Sequence, residues 1–198
     1  MPELYKVGRL PEGGAPQNEG LPFTQSDAFK LAASSDGSSR LIVSTAGSHV
    51  ELLRALLNPR DGPFALLYVL RVPRTKGTLA GRYQSPLDLT YRDIETFLTR
   101  FREFFERDAR HALWIKAFGG SAVQLVYDEH DLIYVYGPLE QYRTELIERA
   151  FPESDFEAPQ DVTHIHHYHE HFDGDERCVL DDVPWTWRCS ELQAVDNA

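Results

Sequence analysis

From Arg40 onward, short apolar runs alternate with longer amphipathic stretches. Arg40-Leu-Ile-Val-Ser-Thr45 is β-branched and predicts a buried strand. Ser48 follows as a helix N-cap, with Glu51 at the capping-box position and Val50, Leu53, Leu56 and Leu57 along one helical face. Asn58-Pro59 stops that helix. Phe64 to Val72 is apolar without alternation, as in a strand covered on both sides. If these first two strands are parallel neighbours, their helical crossover is expected to be right-handed.

The strongest periodicity follows. Ile94, Phe97, Leu98, Phe101, Phe104 and Phe105 share one helical face, behind a Thr90 cap with Asp93 at the box position. One helix from Thr90 to about Arg110 is predicted, its phenylalanines packing on a sheet as the main core element. Three strands are expected next as a meander: Ala112 to Phe118, Ser121 to Tyr127 and Asp131 to Tyr136, with turns at Gly119-Gly120 and Asp128-Glu-His130. Gly137-Pro138 opens a last helix, with Leu139, Tyr142, Leu146 and Ala150 inward and Pro152 closing it.

This order predicts an α+β fold with a mixed, largely antiparallel sheet of five or more strands and three main helices, mostly on one face. Residues 1–39, rich in Gly, Pro, Ser and Asn, are expected to be a flexible segment with one short element near Ser26 to Ala33, and continuous ordered structure is expected to begin at Arg40. Residues 40–198 are expected to form a single domain whose C-terminal part, 151–198, is acidic and histidine-rich.

Charge sharpens that division. The net charge of −11 argues against nucleic acid as a partner, because phosphate binding needs a basic footprint. Residues 1–150 carry 18 Lys and Arg against 19 Asp and Glu, whereas residues 151–198 carry 2 against 12. The excess acidity thus lies in the last quarter, and one expectation is an acidic face presented to a basic protein partner. No apolar run approaches a membrane span and no apolar segment opens the chain, so no membrane association and a cytoplasmic setting are expected. In that setting Cys178 and Cys189 are expected to be free thiols.

Candidate chemistry concentrates in Asp161-Val-Thr-His-Ile-His-His-Tyr-His-Glu-His-Phe172, which holds five of the eight histidines. Read as one strand, it puts His164, His166, Tyr168 and Phe172 on an inward face. His167, His169 and His171 then share the other face and are the candidate ligands for zinc or another transition metal. Three alternate residues on a flat strand span about 13 Å, so closure demands a bend or a nearby carboxylate such as Asp173, Asp175 or Glu176. His164 and His166 are the alternative pair. A metal-dependent hydrolase using the His164–His171 cluster, with Glu170 or Asp173 as general base, is the second functional expectation. A basic, glycine-bearing loop with Arg74, Lys76 and Arg82 is a candidate anion-binding element. Nucleotide-loop, nucleophile-elbow and H-E-x-x-H patterns are missing from the sequence.

Overall fold

The meander signals in the middle of the chain become the centre of the sheet. The computed structural model describes residues 4–11, 20–33, 37–120 and 122–183, with the backbone of 187–189. Its strands are β1 (Val7–Arg9), β2 (Leu21–Pro22), β3 (Ala28–Ala33), β4 (Ser39–Ser44), β5 (Phe64–Leu70), β6 (Gly81–Gln84), β7 (His111–Ala117), β8 (Gln124–Tyr127), β9 (Ile133–Tyr136), β10 (His164–His166) and β11 (Trp187–Cys189). The helices are α1 (His49–Leu56), α2 (Tyr91–Arg100), α3 (Arg102–Arg107), α4 (Leu139–Glu148) and α5 (Asp173–Asp182). Seven strands run in the order β6-β5-β7-β8-β9-β4-β3, with β11 beside β6 and every neighbour antiparallel. A smaller sheet has the order β10-β1-β2. The fold is therefore α+β around a large antiparallel sheet.

Register aligns one buried row across the large sheet. Phe29, Val43, Ile133, Tyr127, Leu113, Tyr68 and Tyr83 are successive cross-strand partners, and all seven belong to the main core. Successive strand residues face opposite ways, so this row marks the covered face. The helices supply Val50, Leu53, Ile94, Phe97, Phe104, Leu146 and Val179 against it. Across the sheet, a small second cluster of Ile42, Leu132 and Ala158 is capped by Phe156 and Tyr134.

Several expectations change in detail. The phenylalanine helix is two helices, because Phe101 leaves helical geometry at φ −105° and ψ 18°. The hydrogen-bond ladder nevertheless runs through it, from Phe101 N to Phe97 O at 3.2 Å and from Phe105 N to Phe101 O at 2.9 Å. All six apolar positions stay on one face and Phe101 is 2% exposed. Ser48 caps α1 by accepting from Glu51 N at 3.1 Å, but Glu106 supplies the further acceptor, taking Val50 N at 2.9 Å. Glu51 instead pairs with Arg54 and Arg102. A carboxylate from a distant helix thus replaces the local half of the box. Five helices, rather than three main ones, are present among the described residues.

Two corrections are larger. Order begins well before Arg40: β3 lies where one short element is expected, but β1 and β2 precede it and Lys6 is 1% exposed. Lys6 Nζ donates to Phe105 O at 3.1 Å and Asp128 O at 2.7 Å, and lies 3.4 Å from Asp131 Oδ1. Local composition carried no sign of partners more than ninety residues away. In addition, the first two expected strands, β4 and β5, are not neighbours. The meander β7-β8-β9 lies between them, and four antiparallel steps leave them pointing the same way. No helix among the described residues is long and apolar enough to cross a membrane.

Candidate metal centre

The histidine segment is a strand for only three residues. β10 pairs with β1 in the register Val7–His166, Gly8–Ile165 and Arg9–His164. Beyond it, His167 N donates to Lys6 O at 2.9 Å and His167 O accepts from Ala109 N at 3.0 Å. His169 N then donates to Asp108 Oδ2 at 2.7 Å. A single helical turn at Glu170–Phe172 leads into α5. Asp173, Asp175 and Glu176 stand in its first turn, where carboxylates meet the positive end of the helix dipole. The carboxylates beyond the histidine segment thus open a helix.

What bends the segment is Arg110, fully buried. Its guanidinium donates to Asp108 Oδ1 at 2.8 Å, Glu176 Oε2 at 2.7 Å, Asp173 Oδ1 at 3.0 Å and His169 O at 2.7 Å. Burial alone would lower its pKa, but the three carboxylates reverse that and hold it charged. Against burial, which acts to raise both, the Arg110 and Arg74 guanidiniums keep Asp173 below the usual carboxylate range, and the Thr75 hydroxyl, the Arg74 amide and Arg110 do the same for Glu176.

The bend separates the three histidines expected to share a face. His167 and His169 stack with rings 5.8 Å apart, and Tyr5 meets His167 edge-on at 4.6 Å. His169 Nε2 lies 3.0 Å from Tyr5 O. His171 turns away onto Phe172, 4.9 Å between rings. Among the described residues, these three do not bring their donor atoms into one group.

The opposite face does. His164 and His166 of β10 meet His130 from the β8–β9 turn, and one ring nitrogen from each lies within 4.8 Å of the others. Ring centroids are 5.2 Å apart for His130–His164, 4.8 Å for His130–His166 and 5.1 Å for His164–His166. Two rings are oriented from behind. His130 Nδ1 lies 3.3 Å from Asp128 Oδ2, and His164 Nδ1 lies 2.9 Å from Val162 O, leaving Nε2 of each as donor. Such outer contacts are the usual support of metal-bound imidazoles. His166 Nε2 is buried and has no hydrogen-bond partner. Ring packing alone would leave that atom's desolvation cost of about 1–3 kcal/mol unrelieved.

Electrostatics distinguish the three rings. Burial, reinforced by His130, His164 and Lys6, lowers His166 to about 4, so it is a neutral donor at pH 7. Burial also acts to lower His130, but the hydrogen bond and charge of Asp128 outweigh it and raise its pKa. Asp128 organises the turn itself. Its Oδ1 accepts from His130 N at 2.9 Å and Leu132 N at 3.0 Å, and its Oδ2 accepts from the Tyr134 hydroxyl at 3.0 Å. Asp131, at φ 61°, completes the tight reversal that aims His130 at β10. Asp128, Glu129 and His130 form a second group of close donors on the same turn.

Sequence reading placed His130 in a turn and went no further. Its link to β10 passes through β1 and through contacts across the chain, which no local spacing announces. No known protein family, curated protein or solved structure matches this chain. The site must therefore be read from its own geometry.

The remaining candidates are placed as follows. Arg74 Nε pairs with Asp173 Oδ1 at 3.0 Å and its backbone N donates to Glu176 Oε2 at 3.0 Å. Lys76 is exposed on the same loop, while Arg82 lies in β6 opposite Val69 and Cys189. The three do not sit on one loop, and Arg74 is already committed to carboxylates. Cys178 is an exposed free thiol on α5, and the side chain of Cys189 lies outside the described residues. Acids of the last quarter pair with the body of the chain: Glu153 with Arg143, Asp155 with Lys30, and Glu157 with Arg9.

Proposed function

We propose that the protein is a transition-metal-binding α+β domain that holds one ion of the zinc class through His130, His164 and His166. One observation carries this reading: one ring nitrogen from each of three histidines lies within 4.8 Å of the others, two rings being oriented through Nδ1 and the third having a buried, unpartnered Nε2. Zinc takes imidazole nitrogens at about 2.0–2.1 Å, so small ring rotations gather all three donors. The ion would also tie the β8–β9 turn to β10, joining the two sheets. This reading stands ahead of an acidic face for a basic partner, because Arg9, Lys30, Arg110 and Arg143 of the chain itself engage several of those acids.

The test is calorimetric titration of the untagged protein with zinc and with nickel. One ion per chain is expected, bound more tightly at pH 7.5 than at pH 5.5 because protons compete for His130, whose pKa is raised by Asp128. His166→Ala or His130→Ala should weaken binding at least about tenfold, whereas the double change His167→Ala with His169→Ala should not. The reverse pattern would move the site to the other face. A wild-type protein that binds neither ion at pH 7.5 would end the reading.

A further inference from the structure

Two polar atoms beside His130 are buried without a hydrogen-bond partner: His166 Nε2 and Glu129 Oε2. Among the described residues, Glu129 Oε2 is the one carboxylate oxygen so placed. Glu129 is 9% exposed, and its other oxygen, Oε1, pairs with Arg71 at 3.2 Å. A buried carboxylate oxygen that meets no donor is costly, and coordination of a cation relieves that cost. Asp128, on the same turn, is already committed. It receives two backbone N–H groups on Oδ1, and on Oδ2 the Tyr134 hydroxyl beside His130 Nδ1. On a strand, residues 129 and 130 would face opposite ways. They lie instead in the β8–β9 turn, where a Glu129 oxygen comes within 4.8 Å of a His130 ring nitrogen. Glu129 stands just outside the group formed by the three histidines, one swing of a flexible side chain away.

We infer that Glu129, through Oε2, is the fourth ligand, and that it closes a structural centre with His130, His164 and His166. The inference rests on the metal reading above. Structural zinc sites fill all four positions with protein, and a carboxylate oxygen binds zinc at about 2.0–2.2 Å. One ion then gives both orphaned atoms, Glu129 Oε2 and His166 Nε2, the partner that each lacks. The carboxylate also offsets part of the ion's double charge in a half-buried site, which three neutral imidazoles would leave whole. Glu129 and His130 come from the β8–β9 turn of the large sheet, His164 and His166 from β10 of the small one. Two ligands from each side make the ion a clamp between the sheets. No position is left at which water could be activated.

Two measurements on the full chain separate this inference from the metal reading. Cobalt(II) replaces zinc, and its visible spectrum is recorded with and without azide, an anion that enters an open position. The wild-type spectrum should be that of a four-coordinate ion and should not respond to azide. Zinc titration then compares Glu129→Gln, which keeps the side chain's volume, with Arg71→Ala, which removes only the ion pair. Glu129→Gln should weaken zinc at least about tenfold and make the cobalt spectrum azide-sensitive, because water takes the vacated position. Arg71→Ala should weaken zinc less than about fivefold, as for a solvent-exposed ion pair. The wild-type spectrum is decisive even where a variant fails to fold. An azide-sensitive wild type, unchanged affinity in Glu129→Gln, or equal losses in the two variants would overturn the fourth ligand and leave the metal reading standing. Failure of the wild type to bind either metal would overturn both.

Discussion

The phenylalanine helices and the histidine segment meet at Phe104, whose ring lies 5.7 Å from Phe172 and 5.4 Å from the Arg110 guanidinium. On one side, α2 and α3 are held to the sheet by hydrocarbon. Phe97, Phe101 and Phe105 pack with ring separations of 5.4 to 6.0 Å. On the other side, the chain from His164 to α5 is held by charge and directional bonds: β10 on β1, His169 on Asp108, and Arg110 among three carboxylates. Apolar packing is non-directional, so any sequence with the right period satisfies it. A buried ion network is satisfied by one arrangement and strains in others. The first region therefore follows its own pattern, while the second takes its path from partners elsewhere in the chain.

The contrast can be broken from either side. Phe101→Ala removes a ring that is 2% exposed. It should cost about 3–5 kcal/mol in denaturant unfolding, a large part of an ordinary domain's stability, with the cavity at the helix junction. A loss below about 1 kcal/mol would mean the ring is not core.

Arg110→Ala should cost somewhat less, about 3 kcal/mol, at the lower end for breaking a buried pair. The reason is that Asp173 is 25% exposed and can be solvated, and Glu176 keeps its bonds to the Arg74 and Thr75 amides. Hydrogen exchange sharpens the comparison. Amides of 167–182 should lose protection in this variant while those of β5 and β7 keep theirs. Uniform loss across the molecule would show that the two regions are one cooperative unit.

The smallest effect is on pH dependence. His111 is fully buried among Phe104, Phe105 and Tyr68, and burial, helped by Lys6 and Arg110, holds its pKa well below the ordinary histidine value. The unfolded chain takes up this proton near pH 6.5 and the folded one does not. Stability from this group is therefore complete above about pH 6.5 and falls by about 1.4 kcal/mol per pH unit below it, until the folded pKa is reached. Asp128, Asp173 and Glu176, all lowered, add their loss only at more acid pH, in the carboxylate range. Chemical unfolding of the wild type and His111→Phe between pH 7 and 5 should show the shallower slope in the variant. Equal slopes would remove His111 as the cause.

How much was legible follows the same division. Strands β4, β5, β7, β8 and β9, the Thr90 cap and the inward phenylalanines were all readable, because each is a period or a cap within about ten residues. The Thr90–Asp93 box is present as expected, with Thr90 N donating to Asp93 Oδ2 at 2.8 Å. The candidate site was legible only as a density of histidines. Alternation correctly put His164 and His166 on one face, but it could not supply His130, and it prolonged the strand past His166.

What the sequence by itself determined, then, is the set of local elements and the α+β class. Those depend on hydrophobic periodicity and on caps whose donors and acceptors are near neighbours in the chain. Only the tertiary structure decided that β1 and β2 lie before Arg40, that the meander separates β4 from β5, and that His130 meets β10. The pairing of β1 with β10, the place of the meander and the meeting of His130 with β10 all rest on groups more than thirty residues apart. The energies that select such pairings, a buried Lys6 seeking carbonyls and Arg110 gathering carboxylates, exist only once the chain has closed those distances.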